Sequence, residues 1–184
     1  MRTGRKGRRL LAFLATILTG AAVMPLVIQS PAEAWSQYIS TSIQYYTHGG
    51  RLYIYADGLA VNWGCSGGGL VMDCAEGQNV YQTVQALDTY TDVVQVQSAV
   101  SFSGSALSVG LPIGAGGSVS GNTCYSQVFA GSGTFVSAYT NGVVCHAQTY
   151  LAVTGMTLWA WGYGRWGSVW DGTSTSSFIS MYPR

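Results

Sequence analysis

From Trp35 onward the chain alternates between apolar or aromatic and small polar side chains. Trp35, Gln37, Ile39, Thr41, Ile43 and Tyr45 fall on one side of an extended strand. Ser36, Tyr38, Ser40, Ser42, Gln44 and Tyr46 fall on the other. A period of two is the strand signature, because successive side chains point to opposite faces of a pleated backbone. His48-Gly49-Gly50 reads as a turn and 51–56 as the return strand of a hairpin. Asp57-Gly58 reads as the next turn, followed by a short strand over 59–63. Residues 64–77 read as a loop around Gly67-Gly68-Gly69. Within 78–88, Val80, Val84 and Leu87 keep helical spacing, but the Val, Thr and Tyr content favours a strand or an irregular segment.

The pattern sharpens further along. Val94, Val96, Val100 and Phe102 share one face of 91–103, and Leu107, Val109, Leu111 and Ile113 share one face of 107–113. Pro112 makes the second an edge or a strand end. Strands are expected over 123–130, 134–139 and 143–154, joined by Gly131-Ser132-Gly133 and Asn141-Gly142. In 157–166, Trp159, Trp161 and Tyr163 lie on one side, with Ala160, Gly162 and Gly164 on the other. Trp166 and Trp170 follow, then a polar loop over 171–177 and a last strand or tail. The fold class is all-β: an antiparallel β-sandwich or barrel of about nine to eleven short strands, disulfide-stapled.

The N-terminus belongs to a different category. Arg2, Arg5, Lys6, Arg8 and Arg9 precede a mostly apolar run over 10–28, and Ala32-Glu33-Ala34 is a small-x-small cleavage site. That order reads as a secretory signal peptide over 1–34, of bacterial type, leaving 35–184 as a single secreted domain. Its removal inverts the charge. The whole chain carries +1, but only Arg51, Arg165 and Arg184 remain against six acids, giving −3. Without clustered Lys and Arg, nucleic acid is not an expected partner, and no polybasic patch holds an anionic membrane. All four cysteines lie in the exported part, so two disulfides are expected, with Cys65–Cys74 and Cys124–Cys145 favoured as local pairs.

Candidate chemistry is thin. Gly64-Cys65-Ser66-Gly67-Gly68 matches a nucleophile-elbow pattern in letters, yet no helix is expected after Ser66. Cys145 and His146 are adjacent, so a strand points them to opposite faces. Asp73, Glu76, Asp88 and Asp92 read as turn residues and solubilising charge. No catalytic residue, metal ligand or cofactor is assigned.

Residues 93–164 contain no Asp, Glu, Lys or Arg over 72 positions, which leaves their strand edges without charged guards. The expected function is therefore non-enzymatic: a structural or adapter subunit of an extracellular assembly, such as a toxin complex. It would bind partner proteins by strand addition or through an aromatic surface. A carbohydrate-binding module or a protease-inhibitor-like protein is the alternative. A pore-forming hairpin over 98–122 and a hydrolase rank below these. The binding candidates are Trp159, Trp161, Tyr163, Trp166 and Trp170, and the partner is a protein or a surface glycan. One face of a sandwich strand must fill a core, so an interior place is favoured for Trp159, Trp161 and Tyr163, while Trp166 and Trp170, in a Gly-rich segment, are the better candidates for exposure.

Overall fold

The computed structural model describes residues 34–67, 69–88, 90–112 and 116–181. The segment read as a signal peptide lies outside the described residues except for Ala34. Every described element is a strand. In order they are β1 (Trp35–Thr47), β2 (Gly50–Gly67), β3 (Leu70–Ala86), β4 (Val93–Gly104), β5 (Ser108–Gly110) and β6 (Gly117–Ser120). Then come β7 (Thr123–Ser126), β8 (Phe129–Ser132), β9 (Phe135–Thr149), β10 (Val153–Trp166) and β11 (Val169–Ser180).

Two antiparallel sheets result. Sheet I has the order β1-β2-β3-β9-β5, and sheet II has β11-β10-β4-β7-β6, with β8 also paired to β4. The apolar sides of both sheets meet in one core. Leu52, Ile54 and Val84 come from sheet I, and Val94, Val96, Val153 and Leu158 from sheet II, all fully buried. The sheets approach closely at two glycines that face branched side chains of the opposite sheet. A Cβ on Gly162 would sit 2.6 Å from Ile54 Cγ1 and Val84 Cγ2, and one on Gly77 would sit 2.8 Å from Val100 Cγ1. Interiors packed this densely leave no slack for an extra carbon.

The two long margins of the sandwich close differently. On one, the Cys124–Cys145 disulfide joins β7 of sheet II to β9 of sheet I. On the other, Thr41 and Thr175 hydroxyls bond at 2.7 Å, and Tyr45 donates to Asp171 Oδ1 at 3.4 Å. The Cys65–Cys74 disulfide instead links neighbouring strands β2 and β3 within sheet I.

The expected all-β sandwich with its two disulfides is present, but several punctuation marks moved. Asp57-Gly58 is not a turn: β2 runs through it, and Gly58 makes room for Val80, whose Cγ2 would lie 3.2 Å from a Cβ there. The expected loop over 64–77 is mostly the end of β2 and the start of β3, which pair as far as Gly67 and Leu70. Residues 78–86 belong to the strand β3. Asn141-Gly142 is no hairpin either. It lies inside β9, where the register against β3 shifts around Gln78–Val80, and Asn79 Oδ1 accepts the Gly142 N–H at 2.9 Å. Both sides of that irregularity use positive φ, 53° at Asn79 and 79° at Gly142, where Asn and Gly are the tolerant residues. The polar loop expected over 171–177 is the edge strand β11. Residues 98–122 do not form one hairpin, because β5 pairs with β9 in sheet I and β6 with β7 in sheet II.

Asp73 also departs from its expected place. It is 5% exposed, and its Oδ2 accepts the Val153 N–H at 2.7 Å, tying β3 to the start of β10.

Candidate functional site

The strand β10 carries its residues inside out by size. Leu158, Ala160, Gly162 and Gly164 face the core, while Trp159, Trp161 and Tyr163 face outward. The cause is the close approach of sheet I at Gly162, which excludes large rings from the inner side. Trp159 and Trp161 lie nearly parallel, 12° between planes and 5.9 Å between centroids. Tyr125, on β7, joins them at 6.1 Å from Trp161. The strand β4 lies between β10 and β7, so neighbours at about 4.8 Å spacing would hold the two backbones nearly 10 Å apart. Both rings therefore lean across β4. They roof Ala99, which points outward yet is only 2% exposed.

The cluster is braced from below. The Trp159 indole N–H donates to Ser101 Oγ at 3.2 Å, and Gln97 Nε2 donates to the Ser126 carbonyl at 2.9 Å. Tyr163, 40% exposed, lies over Gly172, where a Cβ would come 2.5 Å from its Cδ1. Phe178 lies over Gly155 in the same way and extends the aromatic row onto β11. Between and beside the rings, the outward positions are Gln95, Gln97, Ser101, Ser174 and Ser176. These offer amides and hydroxyls, both donor and acceptor, and no charge.

The remaining candidates separate. Trp170 is 45% exposed at the end of the same face, with the Arg165 guanidinium 5.6 Å above its ring. Trp166 goes the other way. It packs against the core at the end of β10, filling the space beside Gly49 and Gly164, where a Cβ would meet its indole at 2.3 and 2.6 Å. Tyr125 and Phe178 were not legible as members of this face, because neither belongs to the Trp-rich segment. The usable signal for them was parity: once Cys124 is inward on a strand, Tyr125 must be outward.

Residues with reactive side chains are dispersed. His48 and Ser66 stand near opposite ends of β2, an 18-residue strand. His48 Nδ1 is 3.1 Å from Asp171 Oδ2, and this hydrogen bond holds the Asp171 carboxyl below its usual range. His146 lies 3.4 Å from Glu76, which also accepts from Gln78 at 2.6 Å. Arg51 and Asp88 form a two-bonded pair at 2.5 and 2.8 Å, which lowers the Asp88 pKa and raises that of Arg51. Asp92 accepts the Gly167 N–H at 2.7 Å. Among the described residues, no three His, Cys, Asp or Glu side chains gather as metal ligands would. Among the same residues, no helix is long and apolar enough to cross a membrane.

No protein-family model matches the chain, no curated protein matches its sequence, and no solved structure matches it.

Proposed function

We propose that the chain is a secreted, non-enzymatic binding protein that holds a neutral glycan on the outer face of sheet II. One observation carries the reading: β10 turns the half-buried Trp159 and Trp161 and the exposed Tyr163 outward, while Leu158, Ala160, Gly162 and Gly164 take its core side. Contiguous aromatic surface of this kind marks an interaction site. Pyranose rings present C–H faces that stack on indole and phenol rings, and hydroxyl edges that need paired donors and acceptors. Gln95, Gln97, Ser101, Ser174 and Ser176 meet the second need without charge. The two disulfides suit export to an oxidising compartment.

The test is retardation of the purified protein in gels containing neutral polysaccharides, followed by calorimetry with the oligosaccharide that binds. Retardation by a neutral glucan, xylan or chitin derivative, lost in Trp161→Ala, supports the reading. Equal mobility in every neutral polysaccharide overturns it. The adapter reading starts from the uncharged strands of residues 93–164 or from this same aromatic face, with a protein in place of the glycan.

A further inference from the structure

We infer that the margin formed by β1 and β11 pairs with the same margin of a second copy, extending both sheets across a two-fold axis. Residues 93–164, whose uncharged edges suggested strand addition, supply the interior strands β4, β9 and β10. Within that stretch β9 has its second neighbour only at residues 146–148, whereas the two long strands bonded on one side along their whole length lie outside it. They are β1, with 13 residues, and β11, with 12. Both run without a register break against their single neighbours. Neither contains Lys or Pro, and Asp171 is their only charge. Sheet edges normally carry such guards against pairing. At the opposite margin the edge strands β5 and β6 have only 3 and 4 residues.

The two long edges also lie in step. Thr41 is the central residue of β1, and it bonds Thr175, at the centre of β11, at 2.7 Å. Four residues on in β1 and four back in β11, Tyr45 bonds Asp171. The edges are therefore stacked antiparallel with coincident midpoints. A single two-fold axis, perpendicular to the sheets beside the Thr41–Thr175 pair, pairs β1 with its copy and β11 with its copy at nearly full length. A lone extended peptide would satisfy only one edge. The same axis brings no like charges together, since each Asp171 falls opposite Ile179 of the other copy. Such an interface is isologous and closed, so assembly stops at the dimer. The axis leaves both aromatic faces pointing the same way, so a polymeric glycan would meet two sites at once.

Sedimentation equilibrium of the secreted form, residues 35–184 with both disulfides formed, tests this without any glycan. The expected result is a dimer. The variant Ser40→Lys/Ser42→Lys sets lysines opposite one another across the axis, where like charges repel. It is expected to sediment as a monomer with an unchanged far-ultraviolet spectrum. Ser108→Lys, on β5 at the other margin, is expected to remain dimeric. A wild-type monomer at every concentration, or a β1 variant that stays dimeric, overturns the inference. A second readout rests on the glycan reading. The β1 variant should bind a short oligosaccharide as the wild type does, while its retardation by the polymer falls at least tenfold. Equal loss for both ligands would count against the two-site geometry, and no binding by either protein would count against the glycan reading alone.

Discussion

The two outer faces of the sandwich are both rich in aromatic rings, yet the polar groups around those rings differ. On sheet I, Tyr55, Tyr81 and Tyr139 stand among charged residues that bond one another. Tyr55 donates to Asp57 at 2.6 Å, Gln78 donates to Glu76 at 2.6 Å, and His146 lies 3.4 Å from Glu76. On sheet II, Trp159, Trp161, Tyr125 and Tyr163 stand among glutamines and serines. Aromatic content alone does not distinguish the faces. What distinguishes them is the polar company the rings keep: charged side chains on sheet I, and uncharged amides and hydroxyls around Trp159 and Trp161 on sheet II.

Both faces ride on one core, so the largest effect belongs to what couples the sheets. Replacing Cys124 and Cys145 by serine removes the cross-sheet link of sequence separation 21. Loop-closure entropy puts the cost at about 3 kcal/mol. Urea denaturation should show it as a lower midpoint. A loss no larger than that from replacing Cys65 and Cys74 would mean that the sheets do not depend on this margin. Next comes the inner side of β10. Gly162→Val forces carbon into the space held by Ile54 and Val84 and should cost about 2 kcal/mol in the same measurement. A neutral result would show that the spacing between the sheets does not keep the rings outside.

The most direct contrast is between single aromatic residues. Trp161→Ala should weaken glycan binding by about 2 kcal/mol, roughly thirtyfold in Kd, as for a central contact residue. Tyr139→Ala, 59% exposed on the other face, should leave it unchanged. Equal losses would erase the distinction between the faces. The smallest effect is a titration. The hydrogen bond to Asp57, with burial and the nearby carboxylate, pushes the Tyr55 phenol up to about 12. A raised acid pKa stabilises the neutral form of the fold. That contribution is complete below the unfolded value of about 10 and is lost as pH rises through about 12. Tyr55→Phe should remove the late phenolate absorbance step, while glycan binding on sheet II stays flat from about pH 5 to 8.

Much of the architecture was written in alternation, and the errors have a common cause. A glycine in a strand reads alike whether it turns the chain or makes room for a neighbour. Asp57-Gly58 and Asn141-Gly142 resemble turns in isolation; only the partner strands show that one accommodates Val80 and the other a register shift. The strand β11 was hidden for a different reason. It is an edge strand whose inner positions, Thr173 and Thr175, meet a polar seam rather than hydrocarbon, so its composition is that of a loop. The Trp-rich face was visible as a face, but its direction was not. That depends on Ile54 and Val84, 108 and 78 residues earlier in the chain, pressing against Gly162.

The buried carboxylate of Asp73 gains a wider meaning from this. By accepting the N–H of Val153 from across the sandwich, it anchors the first residue of β10, just before the irregularity between Val153 and Gly155. A slip of one residue there would exchange every side chain of the strand between interior and solvent. Trp159, Trp161 and Tyr163 would turn inward and Leu158, Ala160 and Gly162 outward. One acid on the opposite sheet thus acts as the index mark for the whole strand, deciding which of its residues the protein shows to the world and which it keeps.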